Sequence, residues 1–301
     1  MLSVIICTYN RDKYIYNVLK SVAENDLPCS DYEIVLVDNN CTDSTKAECE
    51  RFAHDFPQVD FRYVLEHNQG LSYARNKGIE ASRGDVVVYV DDDALVNKEY
   101  LSTYADFFAS HPDVFAAGGP IIPRYETEKP AWMSYYIQCL LTGYKDHGKK
   151  VRPFPGKQYP GGGNAAYRRS VFEKIGLFNV DLGRKGDGLI GAEDKDVFDK
   201  MRANGMAFWY LPTAILYHLI PARKLEEEYF ERLTLSMGKS ERIRTLSLGK
   251  AKYFKRIVVE CVNWMATLVL SLCYTVALTP SKARKLIRFR YNVTRALLNK
   301  A

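Results

Sequence analysis

The chain has 301 residues, of which 47% are apolar and 26% are charged. This length and composition exclude a disordered protein and allow one catalytic domain with an additional segment. Residues 242–301 carry thirteen basic residues and one acid, a net charge of +12, so that 29 basic and 35 acidic residues remain in residues 1–241, a net charge of −6. An acidic core argues against nucleic acid as a partner, whereas a basic segment around an apolar run is typical of proteins that bind an anionic membrane surface.

Residues 1–93 alternate short apolar runs with helical patterns. The predicted strands are residues 3–7, 33–37, 61–65 and 86–90, and the predicted helices between them are residues 14–24, 44–55 and 71–81. This alternation predicts an α/β fold with a Rossmann-like, mostly parallel sheet flanked by helices. Ligands of such sheets bind at the carboxyl ends of the strands, so the loops there are the candidates for chemistry.

The pattern becomes less regular after residue 93. Helices are predicted over residues 194–203 and 225–236, and a strand over residues 207–211. We therefore expect a catalytic domain over residues 1–240, with a nucleotide-binding half over residues 1–93 and an acceptor half over residues 94–240. Seven cysteines without a Cys-x-x-Cys pair, and an initial apolar run too short for a signal peptide, predict a reduced, cytosolic protein.

Three consecutive carboxylates, Asp91, Asp92 and Asp93, follow the apolar run at residues 86–90. Adjacent carboxylates repel one another, so a cation is expected beside them. A divalent ion, Mn²⁺ or Mg²⁺, bound partly by these oxygens and partly by a diphosphate would meet that need. The alternative is a solvated acidic loop. His218 follows a later apolar run, and it is either a further metal ligand or a buried structural histidine.

Polar residues also follow the first two predicted strands, at residues 8–11 and 38–43. They are suited to holding a base and a ribose, although turn formation and helix capping are the alternative for Asp38. The loop at residues 67–70 leads into a helix that carries Arg75. A helix start with an arginine nearby suits a phosphate or a ribose, and the alternative is a capped helix with a solvated arginine.

Together these segments resemble family 2 glycosyltransferases, in the order in which that family carries them. The resemblance rests on Ser-Val-Ile-Ile-Cys-Thr-Tyr-Asn-Arg at 3–11, Val-Asp-Asn-Asn-Cys-Thr-Asp-Ser-Thr at 37–45, Asn-Gln-Gly-Leu-Ser-Tyr-Ala-Arg-Asn-Lys-Gly at 68–78, Asp-Asp-Asp at 91–93, Gly-Gly-Asn-Ala-Ala-Tyr-Arg-Arg at 162–169 and Gly-Ala-Glu-Asp-Lys-Asp at 191–196. It extends from residue 1 to about residue 220, and its joint specificity is high although each segment alone is modest.

The resemblance implies a GT-A fold and inverting transfer of a sugar from a nucleotide diphosphate sugar, expected to be a UDP-sugar. It assigns Asp91 and Asp93 to the metal and Asp194 to the general base, with Glu193 as second choice. The candidates for nucleotide-sugar binding are Thr8, Asn10, Arg11, Asp38, Asn68, Gly70, Arg75, Asp91 and Asp92. Two departures concern us: Ala192 stands where the family often has glycine, and the third acid leaves open which pair contacts the metal.

The chemistry needs only one base. A nucleotide diphosphate is a good leaving group once a metal neutralises its charge, so a single carboxylate that deprotonates the acceptor hydroxyl suffices. The acids at 193 and 194 also suit a helix start, which is their structural alternative. Two other functions remain open: a nucleotidyltransferase, which leaves the Glu193-Asp194 pair unexplained, and an inactive nucleotide-sugar-binding membrane module.

Residues 257–278 form an apolar run of 22 residues with one charge, long enough to cross a bilayer. Polar residues recur in it every three or four positions, at Glu260, Asn263, Thr267, Ser271 and Thr275. We weigh a monotopic or re-entrant membrane helix against a spanning helix and a soluble packing helix. Residues 281–300 are expected to form a basic amphipathic helix. The tail, residues 241–301, would then place the enzyme at the cytoplasmic face of a membrane, acting on a glycan or lipid-linked acceptor.

Overall fold

The computed structural model describes residues 1–186 and 188–299. The chain divides into two compact units. The first contains Met1–Arg124, Lys145–Asp181 and Glu193–Leu219, and the second contains Tyr125–Tyr144, Leu182–Ala192 and Ile220–Ala301. The predicted boundary at residue 240 stays a prediction.

The first part of the chain alternates strands with helices. In chain order the elements are β1 (Leu2–Thr8), α1 (Asp12–Ala23), β2 (Tyr32–Asp38), α2 (Thr45–Asp55), β3 (Phe61–Leu65), α3 (Leu71–Ala81) and β4 (Val86–Val90). The predicted bounds of β3, α3 and β4 are confirmed, and those of the other four elements differ by one or two residues.

The later elements are shorter and less regular. They are β5 (Ala94–Val96), α4 (Tyr100–Ser110), β6 (Ala116–Gly118), β7 (Ile121–Tyr125), α5 (Tyr135–Thr142), β8 (Arg152–Pro153), β9 (Asn164–Arg168), α6 (Ser170–Ile175), α7 (Glu193–Ala203), β10 (Phe208–Tyr210) and β11 (Leu216–Ile220). Three long helices follow: α8 (Glu227–Ser247), α9 (Lys250–Val276) and α10 (Pro280–Leu298). The helix predicted over residues 225–236 therefore extends farther, to Ser247.

The described residues form an eight-stranded sheet with the order β3-β2-β1-β4-β9-β6-β10-β8. Strands β1 to β4 are parallel, and β9 runs antiparallel to both β4 and β6. The mostly parallel sheet is thus confirmed, and among its described strands β9 and the edge strand β8 run in the opposite direction. A smaller sheet has the order β5-β11-β7.

The core is divided between the two faces of the large sheet because successive side chains of a strand point to opposite faces. In β1, Val4 and Ile6 pack in one cluster with residues of α1, α2 and α4, whereas Ile5 packs in the other with residues of α3 and α7. Gly78 permits α3 to lie close to β1, since a Cβ at this position would come within 2.4 Å of Ile5 Cγ2.

In the second unit, α5, α8 and α10 contribute to an apolar cluster that includes Met133, Ile137, Phe230, Leu233 and Leu286. Helix α9 is long and apolar enough to cross a membrane by length and composition. This criterion alone is weak, because core helices of soluble proteins also meet it. Helix α9 differs from a core helix in that most of its residues are exposed.

Candidate active site

The candidate site lies at the carboxyl ends of the parallel strands in the first unit. Thr8, the last residue of β1, is aligned with Asp38, the last residue of β2. Strand β4 is parallel to β1 and is followed directly by Asp91. The loops that the sequence assigned to nucleotide and metal binding are therefore brought to one edge of the sheet.

Asp38 is buried and held by its own loop and by β3. One oxygen accepts a hydrogen bond from the backbone N–H of Cys41 at 2.7 Å, and the other accepts from the hydroxyl of Tyr63. Asn10 is linked to the same loop, because its Oδ1 accepts from the backbone N–H of Thr42 at 2.8 Å. This arrangement fixes the orientation of the Asp38 carboxylate.

Asn39 was not singled out from the sequence, yet it joins two of the predicted loops. Its Oδ1 accepts from the backbone N–H of Gly70 at 2.7 Å, and its Nδ2 donates to the carbonyls of Asn68 and Glu66 at 2.8 and 2.9 Å. Gly70 has a φ of 148°, which favours glycine at the start of α3. Asn68 and Gly70 therefore contribute backbone groups to the structure of the site.

The three carboxylates after β4 have different partners. Asp92 accepts from Arg11 Nε and from the backbone N–H of Tyr9, both at 3.3 Å. Asp93 Oδ1 lies 3.2 Å from His218 Nε2, and Asp93 Oδ2 lies 4.0 Å from Arg11. Burial raises the pKa of Asp92 to about 6, against the opposing charge of Arg11. Arg11 thus neutralises part of the negative charge of the three carboxylates.

Arg75 is buried in α3 and forms an ion pair with Glu193 at 2.7 Å. Burial disfavours the charge of the guanidinium, but the carboxylates of Glu193, Asp91 and Asp194 outweigh that effect and raise the pKa of Arg75. The ring of Tyr89 lies 5.5 Å from the guanidinium carbon. Arg75 is therefore a fixed positive charge among acidic side chains.

Asp194 lies in the first turn of α7, next to the loop that precedes β9. Its Oδ2 accepts from the backbone N–H of Gly162 at 3.1 Å, and its Oδ1 accepts from the N–H of Lys195 at 3.0 Å. A Cβ at Gly162 would come within 2.8 Å of Asp194 Oδ2, and one at Gly163 would come within 2.0 Å of Asp91 Oδ2. Two adjacent glycines therefore let one loop contact both acidic side chains.

Asn164 anchors this loop. Its side chain is fully buried, its Oδ1 accepts from the hydroxyls of Tyr100 and Tyr104 at 2.8 and 2.7 Å, and its Nδ2 donates to the carbonyls of Pro120 and Ala214. Both N–H donors and both oxygen lone pairs of this amide are thus used in hydrogen bonds. The tyrosine partners of Asn164 carry no local signal in the sequence, because they lie 60 and 64 positions away.

The family model described as Glycosyl transferase family 2 matches residues 3–176, which is more than half of the chain. A glucosyl-dolichyl phosphate glucuronosyltransferase from Haloferax volcanii is 28% identical over 260 residues, covering 83% of this chain and 79% of that protein.

Two solved structures show a similar fold. The mannosyltransferase PcManGT from Pyrobaculum calidifontis, in complex with GDP-Man and Mn²⁺, has a TM-score of 0.65 and 20% identity, covering 100% of this chain and 88% of that chain. TarS 1–349 from S. aureus, in complex with UDP-GlcNAc, has a TM-score of 0.54 and 19% identity, covering 97% of this chain and 90% of that chain. These similarities confirm the predicted GT-A fold class.

The matched segment contains the loops after β1, β2 and β4, the start of α3 and the two glycines before β9. These are the segments that meet at the carboxyl edge of the sheet. The chain is therefore a glycosyltransferase and belongs to glycosyl transferase family 2.

Proposed function

We propose that this enzyme transfers a sugar from a UDP-sugar to an acceptor hydroxyl, with inversion at the anomeric carbon. The observation that carries the proposal is the shared contact of Asp91 and Asp194 with the adjacent residues Gly163 and Gly162. Consecutive Cα atoms are about 3.8 Å apart, so a metal-side carboxylate and a candidate base act on one small volume. Sugar transfer requires this proximity, because the donor diphosphate would lie at the metal side and the acceptor hydroxyl at the base.

The donor would bind along the edge that carries Thr8, Asn10, Arg11 and Asp38. A fixed carboxylate such as Asp38 suits a ring N–H of a base, and Asn68 and Gly70 would shape the adjoining wall. Arg75, whose positive charge is held in place beside Asp91 and Glu193, would attract the negatively charged diphosphate of the donor. Support for a nucleotide sugar comes from the two structural neighbours, which were solved with GDP-Man and with UDP-GlcNAc.

We propose Mn²⁺ or Mg²⁺ as the cofactor. Within residues 1–186 and 188–299, no group of three or more His, Cys, Asp and Glu side chains forms a complete ligand set. Such ions are commonly held by one or two carboxylates together with substrate phosphates, so Asp91 and Asp93 fit an ion that a diphosphate completes. When bound, the ion would neutralise charge on the departing diphosphate. His218 would join as a ligand by exchanging its contact with Asp93.

Asp194 is the better candidate for the base. Glu193 is committed to a buried ion pair with Arg75, which stabilises its ionised form and makes it a poor proton acceptor. Asp194 accepts one backbone N–H on each oxygen, which leaves a lone pair on each for a substrate hydroxyl. Glu193 therefore acts as a positioning residue for Arg75.

In the proposed reaction Asp194 removes the proton from the acceptor hydroxyl while the hydroxyl oxygen bonds to the anomeric carbon. The bond from that carbon to the diphosphate oxygen breaks, and the nucleoside diphosphate leaves with the electron pair. Because the hydroxyl attacks opposite the leaving group, the configuration inverts. No second carboxylate is needed, in contrast to an inverting glycosidase.

We further propose that the acceptor is a lipid-linked glycan presented at the cytoplasmic face of a membrane. The relative from Haloferax volcanii is named for a glucosyl-dolichyl phosphate acceptor. The +12 charge of residues 242–301 would favour an anionic surface, at about 1 kcal/mol for each basic residue near the lipid headgroups.

The test is a panel of nucleotide sugars incubated with the full-length enzyme and Mn²⁺, with release of nucleoside diphosphate as the readout. Asp194→Asn should lower transfer by about 10² to 10⁴ with donor affinity unchanged. The matched control is Asp196→Asn in the same helix, since Asp196 pairs with Lys200 at 2.8 Å. Donor affinity that falls in parallel with rate would place Asp194 on the nucleotide side instead.

The same panel separates the other functions. A nucleotidyltransferase would release pyrophosphate from a nucleoside triphosphate and would leave nucleotide sugars intact. An inactive binding module would bind a nucleotide sugar without releasing any product. Either result would contradict the proposal.

A further inference from the structure

Helix α9 buries several polar side chains on one side and exposes a row of apolar side chains on the other. Glu260, Thr267 and Ser271 are buried at 3, 3 and 6% exposure. The opposite face is exposed at Phe254, Val258, Val262, Met265, Val269, Leu272 and Val276, each more than half accessible. We call these seven residues the outer stripe. Their spacing of three or four residues places them along one side of the helix.

The polar side of α9 is already occupied by α10. Glu260 accepts from Arg290 at 3.0 Å and from Thr294 at 2.9 Å, and the indole N–H of Trp264 donates to the Thr294 hydroxyl at 2.9 Å. Arg256, one turn before Glu260, adds a third bond to that carboxylate at 2.8 Å. These bonds fix which face of α9 is turned inward, so the outer stripe is the face left for another partner.

Water is an unfavourable partner for the outer stripe. Its seven side chains extend over 23 residues, about 33 Å of helix, and Lys255 in the first turns is the charged residue beside it. Contiguous apolar surface of this extent on a soluble protein marks a binding surface for protein or membrane.

A bilayer fits the charge of the surroundings better than a second copy of the chain. Lys250, Lys252 and Lys255 are exposed at the start of α9, and Arg284 and Arg295 are exposed on α10. Two copies joined through the outer stripe would bring together segments that each carry +12. Anionic lipid headgroups would instead attract these basic residues while the acyl chains take up the apolar side chains.

The position of α10 decides how α9 meets the bilayer. It lies alongside α9, as the contacts from Tyr253 to Leu297 and from Glu260 to Arg290 show. A spanning α9 would draw the exposed Arg284, Arg288 and Arg295 of α10 into the hydrocarbon, where guanidinium groups are costly. An α9 that lies flat in the interface leaves these arginines among the headgroups.

We infer that α9 lies in the plane of the membrane interface, with the outer stripe inserted into one leaflet and α10 held above it. This inference rests on the proposed membrane association and specifies its geometry. It selects a monotopic helix among the three alternatives that the sequence left open.

Depth measurements on the full-length protein test this geometry. Val258, Met265 and Leu272 are replaced by cysteine one at a time, in a background with the exposed Cys261 and Cys273 changed to serine. Each is labelled with an environment-sensitive fluorophore. The background protein, labelled in the same way, measures the fluorescence that comes from the remaining native cysteines. Vesicles of phosphatidylcholine with phosphatidylglycerol, brominated at different acyl positions, report the depth of each label.

The three labels should lie at the same shallow depth. A spanning helix would instead place the label at 265 about 10 Å deeper than those at 258 and 272, which would overturn the inference. Leu272→Glu should weaken vesicle partitioning at least about tenfold, whereas Val151→Glu, at an exposed apolar residue of the first unit, should leave it unchanged.

Two further outcomes would also overturn the inference. One is a dimer in solution, abolished by Leu272→Glu, that ignores vesicles, because the outer stripe would then bind a second copy. The other is a monomer that ignores anionic vesicles at low salt. Donor hydrolysis measured on the same samples keeps these results separate from the proposed transfer reaction, which would stand if hydrolysis persisted.

Discussion

Replacing Gly163 by alanine tests the metal side of the site through a single methyl group. The new Cβ would lie 2.0 Å from Asp91 Oδ2 and 2.2 Å from Asp91 Cγ. Ordinary non-bonded contacts are about 3.5 Å, so the carboxylate must move by more than about 1 Å. Gly163 has no positive φ, and the Asp91 side chain is partly exposed, so the side chain can rotate while the fold is kept.

We expect Gly163→Ala to raise the Mn²⁺ concentration needed for half-maximal donor hydrolysis by about 10- to 100-fold, as displacement of a metal-site partner does. The assay is a Mn²⁺ titration of nucleoside diphosphate release, with thermal unfolding measured on the same protein. The melting temperature should change little, because the displaced side chain has solvent beside it.

Gly162→Ala is the matched comparison. Its Cβ would lie 2.8 Å from Asp194 Oδ2 and 3.0 Å from Arg75 Nη2, and not against Asp91. It should lower kcat while the Mn²⁺ requirement stays at the wild-type value. If Gly163→Ala kept both its turnover and its Mn²⁺ requirement, the assignment of Asp91 to the metal would be refuted. Combining Gly163→Ala with Asp91→Asn should add little to either change, since both act on one carboxylate.

Three further changes test other parts of the molecule. Asp93→Asn should abolish turnover and weaken Mn²⁺-dependent donor binding in a folded protein; near-native activity without added metal would contradict the proposed metal site. Ala192 has a φ of 76°, so Ala192→Gly should raise the free energy of unfolding by about 1 kcal/mol in urea titrations, and a loss of stability would show that the strain is absent. Burial disfavours the charge of Glu33, but bonds from the Ser3 hydroxyl, the Arg83 backbone and Arg62 outweigh it and lower its pKa from 4.5 to about 2. The ionised Glu33 therefore adds about 3 kcal/mol to the free energy of unfolding above pH 4.5, and this contribution is lost as the pH falls towards 2. Glu33→Gln should remove this pH dependence from denaturant unfolding.

The first half of the fold was predictable because its signals are local. Strand β4 is a continuous run of valines and one tyrosine, and β3 is an aromatic and aliphatic run with one arginine, Arg62. Both lie between polar loops, and α3 begins at a glycine loop. In the second half the signals fade. Strand β6 consists of Ala116, Ala117 and Gly118, which have low strand propensity and form a strand only because β9 and β10 pair with them.

The sequence allows the candidate residues to be named, but it does not predict which of them contact one another. Arg75 and Glu193 are 118 positions apart, and Asp194 and Gly162 are 32 apart, so no periodicity relates them. The resemblance ranks Asp194 before Glu193, but composition and spacing do not separate the two adjacent acids. Their contacts do: Glu193 pairs with Arg75, whereas Asp194 accepts from the backbone of Gly162. The pair with Arg75 depends on how α3 and α7 pack on the same face of the sheet.

In the tail, the sequence predicted a row of polar residues on α9 but not what those residues contact. The polar residues spaced along α9 were predicted as a stripe, and the stripe exists. Its buried members, such as Glu260, contact α10, so it serves the packing of one helix on another. A sequence reports that a helix has two faces, whereas the partner of each face is a property of the tertiary structure.

The acidic triplet can be divided by the same reasoning. Asp92 receives hydrogen bonds from both Arg11 and the Tyr9 backbone, so its two oxygens are already engaged by groups of the chain itself. Asp91 faces the glycine loop, and Asp93 lies beside His218, an imidazole that can itself bind a metal ion. An ion that enters between these groups would meet two carboxylates and a further possible ligand without displacing Arg11 from Asp92. Asp91 and Asp93 are thus the pair to expect at the metal, and Asp92 is the residue that holds Arg11 and the loop after β1 in place.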